Sequence, residues 1–218
     1  MVAIASVATP AEQRLILNGV SWATFESLLA DHAERSSPRF AYDRGLLEIM
    51  TTSSEHERDN RTLAQLVEVV AEELGVDVLN VGSMTFKRKD LAQGFEPDSC
   101  FYIQHEDQVR KVVQIDPATD PPPDLVIEID MTNSSLNRFP IYAGIGIPEV
   151  WRFARGRVTI SRLEDGGYRE SDASQALPLL TADILTRFLA DSRTIGRTAW
   201  LRSVRSWVRQ GATESPTP

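Results

Sequence analysis

The alternation of apolar and polar residues is clearest between residues 124 and 130, where it predicts a β-strand at the centre of the fold. The two faces of this strand are Leu125, Ile127 and Ile129 on one side and Asp124, Val126, Glu128 and Asp130 on the other. Three prolines precede the strand, and because proline cannot sit in a central strand they mark a loop. Three carboxylates on one face repel each other, and burial raises their pKa, so a cation or solvent must offset that cost.

A 3.6-residue periodicity predicts one long helix with well-defined ends. Ser54 and Glu57 fit an S-x-x-E capping box at its start, and Gly75 ends it. Its apolar stripe is Leu63, Leu66, Val67, Val70 and Leu74. This helix has the strongest periodicity in the chain.

Shorter patterns predict the other elements. Strands are expected at 15–17, 40–43, 46–50, 76–81, 84–89, 98–103, 150–153 and 158–161, and helices after Ser21, after Asn137, at 182–189 and at 195–208. Arg44-Gly45 is predicted to form a hairpin turn, and 90–96 and 104–123 are expected to be loops. Residues 211–218 are expected to be a flexible tail.

The order of motifs in the second half of the chain resembles a known family. The Pro97-Asp98 pair is followed by the "EI" strand, a Ser/Asn-rich turn, a helix ending in Tyr-Ala-x-x-Gly, and then Ile-Pro-Glu-Val-Trp. Over residues 38–155 this is similar to the bacterial putative restriction endonuclease family of the PD-(D/E)XK nuclease superfamily. The resemblance implies an α/β fold with a mixed, bent central sheet flanked by helices. It also implies one nuclease-like domain over 1–210, with a core at 38–163 and terminal additions.

The same resemblance implies a site built on two acids, Asp98 and Glu128, and a divalent cation. If Asp98 lies across from Glu128 on a neighbouring strand, their separation is about 5 Å, whereas Asp124 is ~13 Å from Glu128 along its own strand. Oxygen ligands with open water positions suit Mg²⁺ or Mn²⁺. We therefore expect Asp98 and Glu128 to be the catalytic metal ligands.

The third catalytic position departs from the family pattern. In nucleases of this superfamily a lysine usually lies two residues after the glutamate. In this chain that position is occupied by Asp130. In the family it resembles, a lysine also occurs four residues before the tyrosine, and here that residue is Arg138. Arginine can hold phosphate or stabilise charge, but it does not deprotonate and is a poor base. The alternative is that Arg138 only pairs with Asp130 or Glu128.

Several other polar residues have weaker claims to the site. Lys87 and Lys89 are a second source of positive charge, although strand lysines usually face solvent. His56, in the first turn of the capped helix, is expected at the surface or in a cap, with an approach to the site as the alternative, and Glu48 is a possible supporting acid. Asp124 is expected to be solvated or to cap a loop, and Cys100, two residues after Asp98, to be a buried small residue.

Composition and charge limit the function classes. At 218 residues and 42% apolar content, the chain can bury a real core, and no apolar run approaches ~20 residues, so a membrane span is excluded. The N-terminus lacks the features of a signal peptide, and a single cysteine fits a reducing cytoplasm.

The net charge of −8 is unevenly distributed. Residues 1–151 carry 12 basic and 24 acidic side chains, whereas 152–209 carry 11 arginines and 6 acids. An overall acidic protein is not typical of general nucleic-acid binders. Any phosphate contact should therefore use the C-terminal third, unless those arginines are simply solvated or ion-paired.

Three functional hypotheses follow. The first is a metal-dependent endonuclease that acts on DNA. The second is a catalytically inactive nuclease-fold protein that binds DNA or protein. The third, compatible with either, is a homodimer that forms through the C-terminal helices, with Trp200 and Trp207 at the contact.

Overall fold

The computed structural model describes residues 12–33, 35, 37–131 and 136–214, without the side chains of 212–214. The strands are β1 (Gln13–Leu17), β2 (Arg39–Asp43), β3 (Leu46–Thr51), β4 (Leu79–Asn80), β5 (Phe86–Arg88), β6 (Gln93–Phe95), β7 (Ser99–Tyr102), β8 (Leu125–Asp130), β9 (Glu149–Ala154), β10 (Arg157–Glu164) and β11 (Gly167–Ser171). The helices are α1 (Trp22–Asp31), α2 (Ser54–Leu74), α3 (Glu106–Val109), α4 (Phe139–Ile145), α5 (Ala182–Asp191) and α6 (Arg197–Glu214). None of these helices is both long and apolar enough to cross a membrane.

The strands form two sheets. A six-stranded mixed sheet has the order β11-β10-β9-β8-β7-β4, and β8 and β9, joined through α4, are its parallel pair. A five-stranded antiparallel sheet has the order β1-β3-β2-β6-β5. The fold is therefore the predicted mixed α/β architecture, with a separate antiparallel sheet packed against the mixed one.

Strand β8 is buried on both faces. The face carrying Ile127 and Ile129 packs into a core shared with α2, α5 and α6. The face carrying Val126 packs into a second core shared with α4 and the five-stranded sheet. The predicted alternation is present, but the face with Glu128 and Asp130 is as enclosed as the apolar one, and all six β8 residues are buried. The acids of this strand therefore need partners inside the protein rather than water.

Helix α2 has the predicted extent, but its N-cap is one residue earlier than expected. The hydroxyl of Ser53, not Ser54, accepts a hydrogen bond from the His56 N–H at 3.1 Å. Glu57, the predicted partner in the capping box, instead contacts Arg61 at 2.8 Å. Gly75 ends the helix in the left-handed conformation, at φ 68°. Capping by Ser53 turns the His56 side chain into the protein.

The predicted loop at 90–96 contains a strand that local sequence does not reveal. Strand β6 pairs with β2 and β5, and it includes Gly94, a residue that weakens a strand interior. A Cβ atom at Gly94 would lie 2.9 Å from the ring of Phe25 in α1. The glycine is therefore required by the close packing of α1 on this sheet, a tertiary contact.

The polar excursion at 104–123 is held by Asp124, which lies immediately before β8. One oxygen of its buried carboxylate accepts hydrogen bonds from the N–H groups of Ile103 at 2.7 Å and His105 at 3.0 Å. The other lies 2.5 Å from Nδ1 of His105. Asp124 thus joins the two ends of the excursion, in agreement with a capping role rather than a metal-binding one.

Helix α6 packs on the protein's own surface. The indole Nε1 of Trp200 donates to the Phe188 carbonyl at 2.7 Å, and the Trp207 ring meets the Phe188 ring edge-on. Trp200, Val204 and Val208 are buried in the core shared with α2. The apolar face that suggested a homodimer contact is therefore used within the chain. The helix also continues to Glu214, past the predicted start of the tail.

We predict that the salt bridges between α2 and α6 make stability depend on acidity. Glu73 accepts from Arg205 at 2.8 Å and from Arg209 at 2.7 Å, and these hydrogen bonds lower the pKa of Glu73 to about 2. Because the pKa is lower in the folded state, the stabilisation is present above the unfolded pKa of about 4.3 and is lost as pH falls through about 2. Urea midpoints of the wild type and Glu73→Gln should differ at pH 6 and converge near pH 2.

The matched control is Glu170→Gln, which removes an exposed acid of β11. Its midpoint should follow that of the wild type across the same pH range. A constant difference between Glu73→Gln and the wild type from pH 6 to pH 2 would contradict this assignment.

Candidate active site

Asp98 lies directly before β7 and reaches the end of β8. The register pairs Ser99 with Ile127 and Cys100 with Val126, so its continuation brings Asp98 next to Glu128. The Oδ2 atom of Asp98 accepts a hydrogen bond from the Ile129 N–H at 2.7 Å. The peptide group that follows Glu128 thus fixes the position of the Asp98 carboxylate.

Two side chains hold the other oxygen of Asp98. The Nε2 atom of His56 lies 2.9 Å from Oδ1, and Arg39 Nη1 forms an ion pair with the same oxygen. Both side chains are buried, and the Nδ1 atom of His56 faces Glu12 at 3.2 Å. Burial lowers the pKa of Arg39, and Glu128 is the strongest of the charges that oppose this shift. Arg39 therefore lies in the fields of both Asp98 and Glu128.

Glu128 projects from the opposite face of β8 to Ile127 and is held by α4. The Tyr142 hydroxyl donates to its Oε1 at 2.7 Å, and Arg138 Nη1 donates to its Oε2 at 2.9 Å. Burial and the negative charge of Glu128 raise the pKa of Tyr142 well above its ordinary value, so the phenol stays protonated and donates. The Tyr142 and Arg138 contacts fix both oxygens of Glu128.

Arg138 joins Glu128 to Glu48. Its Nη2 donates to Glu48 Oε1 at 2.5 Å and its Nε donates to the same oxygen at 3.1 Å. Burial alone would lower the pKa of Arg138, but Glu128, Tyr142 and Glu48 more than offset this and raise it well above its ordinary value. Arg138 therefore stays charged. It pairs with Glu128, as the alternative interpretation of the sequence expected, and its second partner is Glu48 rather than Asp130.

Two further arginines surround this centre, and neither was expected from sequence. Arg14 in β1 contacts Glu48 at 3.2 Å and Asp130 at 3.5 Å, and it also pairs with Glu12. Arg152 in β9 pairs with Asp130 from the solvent side. Asp130 is thus paired with one arginine on the adjacent strand β9 and one on β1 of the other sheet. No local signal identifies Arg14 or Glu12, because both lie in a short segment far from the motifs.

Two separate depressions lie beside these residues. A pocket of about 280 Å³ is lined by Glu128, Asp130, Arg138, Tyr142 and their neighbours. A groove of about 1090 Å³ is lined by Asp98 and Arg39 together with residues of α2 and α6. The two acids therefore open to different sides of one junction.

Carboxylate oxygens are the ligand type that a hard cation prefers, but most of those at this centre already have partners. Each oxygen of Asp98 and Glu128 already accepts a hydrogen bond. Among the residues that the structure describes, no three acidic, imidazole or thiol groups converge on one point. Glu48 Oε2, however, is buried and has no hydrogen-bond partner, which is the situation of an oxygen that lacks its cation. Among the oxygens of these three acids, only Glu48 Oε2 is thus open to Mg²⁺ or Mn²⁺, and Asp98 and Glu128 could ligate a cation only by exchanging their present hydrogen bonds for it.

The remaining predicted candidates lie outside this centre or support the fold. Lys87 is exposed and pairs with Glu26 at 3.3 Å, and Lys89 is exposed beside it, so neither enters the site. Cys100 is fully buried, and burial strongly raises the pKa of its thiol, which excludes nucleophilic reactivity. His56, expected at the surface, is completely buried and contacts Asp98.

Comparison with known proteins agrees with this architecture. A model of the family described as "Putative restriction endonuclease" (Uma2) matches residues 22–191. The fold is similar to the crystal structure of a putative nuclease belonging to DUF820 from Anabaena variabilis ATCC 29413, with a TM-score of 0.52 and 14% sequence identity over 78% of this chain and 99% of that chain. No curated protein matches the chain. Because the family match covers most of the sequence, this chain belongs to the Uma2 family of putative restriction endonucleases.

Proposed function

We propose that this protein is a metal-dependent endonuclease that hydrolyses DNA phosphodiester bonds, with Asp98 and Glu128 as its metal-binding acids. The observation that carries the proposal is the hydrogen bond from the Ile129 N–H to Asp98 Oδ2, which brings the two acids to the same end of β8. A buried acid pair on adjoining strands is costly unless it serves a purpose. Family membership supports nuclease chemistry in general.

The neighbouring side chains would orient the acids during the reaction. His56 and Arg39 hold Asp98, while Tyr142 and Arg138 hold Glu128, so both carboxylates have fixed orientations before a substrate arrives. Mg²⁺ or Mn²⁺, when bound, supplies charge neutralisation at the phosphate and acidifies a bound water. The Glu48 oxygen without a hydrogen-bond partner is the remaining acceptor at this centre.

Arg138 acts as a fixed positive charge in this scheme. Its guanidinium cannot accept a proton, because it does not deprotonate in proteins. It can stabilise negative charge that develops on a phosphate. The proton of the attacking water must therefore go to an acceptor other than Arg138.

A second candidate function is a nuclease-fold protein that binds DNA or protein without cleaving it. The observation that favours it is that arginines already occupy the acids. Arg138 pairs with both Glu48 and Glu128, and Arg39 pairs with Asp98. A cation would have to displace these guanidinium contacts. Cytoplasmic location and homodimer formation remain predictions from sequence, independent of either function.

We expect Asp98→Asn and Glu128→Gln each to reduce divalent-metal-dependent cleavage of plasmid DNA by at least about a hundredfold, in line with the loss of a charge-stabilising group. Both changes keep the side-chain shape and remove one negative charge, and circular dichroism would check the fold. The measurement is the rate of plasmid nicking with Mg²⁺ and with Mn²⁺.

The matched control for this experiment is Asp124→Asn. It changes a buried acid beside the same strand, at the end away from Glu128, and should leave the cleavage rate within about threefold. Cleavage that persists in both Asp98→Asn and Glu128→Gln would exclude this site.

Arg138→Lys should separate the two candidate functions. A lysine returns a group that can lose its proton, and general base catalysis contributes typically ~10²–10⁴-fold, so we expect at least a tenfold gain in cleavage rate above pH 8. The control is Arg152→Lys, which changes the outer arginine at Asp130 and should have little effect. A lower rate in Arg138→Lys than in the wild type would mean that the planar guanidinium itself is needed.

If neither the wild type nor Arg138→Lys cleaves, the second candidate function is favoured. Calorimetric titration with Mn²⁺ then provides an independent measurement, because a binding protein with arginine-saturated acids should show no Mn²⁺ affinity.

A further inference from the structure

A groove of about 1090 Å³ runs between α2 and the start of α6. We call it the α2–α6 groove. Asp98 and Arg39 lie at its floor, and Arg58, Arg61 and Arg197 lie along its sides. We propose that this groove binds the phosphate backbone of the nucleic-acid strand whose reacting phosphate lies at Asp98. This inference rests on the proposed function and adds the path of the substrate.

The exposed arginines of the groove suit a polyanion and outnumber the two glutamates, Glu57 and Glu68, that also line it. Arg58 and Arg61 are three residues apart on α2, which puts them on the same side of the helix, and Arg197 is at the first position of α6. All three are exposed in a protein with a net charge of −8. Phosphate contacts by arginine supply affinity that does not depend on base sequence.

These arginines can exchange their present partners for phosphate at little cost. Arg61 contacts Glu57 at 2.8 Å with 78% of its side chain exposed, and Arg197 Nε donates to Gln65 at 3.1 Å at the surface. Exposed pairs of this kind contribute about 0–1 kcal/mol, so a phosphate can replace them. By contrast, Arg205 and Arg209 of α6 are both bound to Glu73 and support the docking of the helix.

The floor of the groove is polar and fixed. The Asn60 amide donates to the main-chain carbonyl of Asp98 at 3.0 Å, and the Ser99 hydroxyl donates to the Asn60 carbonyl oxygen at 2.8 Å. These contacts hold Asp98 on a rigid surface that opens into the groove. A strand that follows the groove would thus pass beside Asp98, whose carboxylate lies under the side chains of His56 and Arg39.

The pocket on the Glu128 side is a poor alternative path. Its volume of about 280 Å³ is roughly a quarter of that of the groove, and arginines paired with buried acids line it. It has room for a group next to the reacting phosphate but not for a polymer. The groove and the pocket therefore have different roles at the junction between Asp98 and Glu128.

The test is nucleic-acid binding measured without cleavage. Fluorescence anisotropy of a fluorescein-labelled DNA oligonucleotide in EDTA would compare the wild type with the triple variant Arg58→Gln, Arg61→Gln, Arg197→Gln. We expect Kd to rise at least tenfold. The slope of log K against log salt should decrease by about 2–3, because each phosphate contact contributes ~0.7–0.9.

The matched control removes the same charge elsewhere. The triple variant Arg157→Gln, Arg169→Gln, Arg202→Gln alters exposed arginines of β10, β11 and α6 that do not line the groove. It should change Kd by less than about threefold, and thermal unfolding would check that both variants fold.

The outcomes separate the groove from the proposed function. If the wild type binds and cleaves DNA and the two triple variants bind equally well, the groove proposal is wrong and the nuclease proposal stands. If the wild type neither binds nor cleaves DNA, both proposals fail. If the wild type binds without cleaving and only the groove variant loses affinity, the groove proposal holds and the second candidate function is favoured.

Discussion

Buried negative charge is the constraint around which this fold is arranged. Among the residues described, five carboxylates are buried near the end of β8: Glu12, Glu48, Asp98, Glu128 and Asp130. Guanidinium groups from four different segments contact them, namely Arg14 from β1, Arg39 from β2, Arg138 from the start of α4 and Arg152 from β9. Removal of one partner of such a pair costs about 3–5 kcal/mol, because the other charge is left buried.

This network also explains how the two sheets are joined at the site. Glu48 belongs to the five-stranded sheet and Glu128 to the six-stranded sheet, and Arg138 bridges them. Asp98 and Arg39 make a second bridge between the sheets. The ion pairs therefore define the relative position of the sheets at the point where the chemistry would occur.

The range matched by the family model contains most, but not all, of the charged residues discussed above. The matched residues 22–191 include Asp98, Glu128, Arg138 and Tyr142, whereas Arg14 and Arg197 lie outside them. The central acids thus lie within the part of the chain that the family model matches. Arg14, which pairs with Glu48 and Asp130, and Arg197, at the edge of the α2–α6 groove, come from the segments on either side of that range.

Local sequence determined the elements whose signals are short-range: the alternation in β8, the periodicity and glycine stop of α2, and the motif order that points to Asp98 and Glu128. Only the tertiary structure decided which partners those acids have. Strand β6, the burial of His56 and the pairing of Glu48 with Arg138 depend on contacts between segments far apart in sequence. The physical reason is that a side chain's charge environment is set by whatever packs against it in space, whereas periodicity reports only on its own helix or strand.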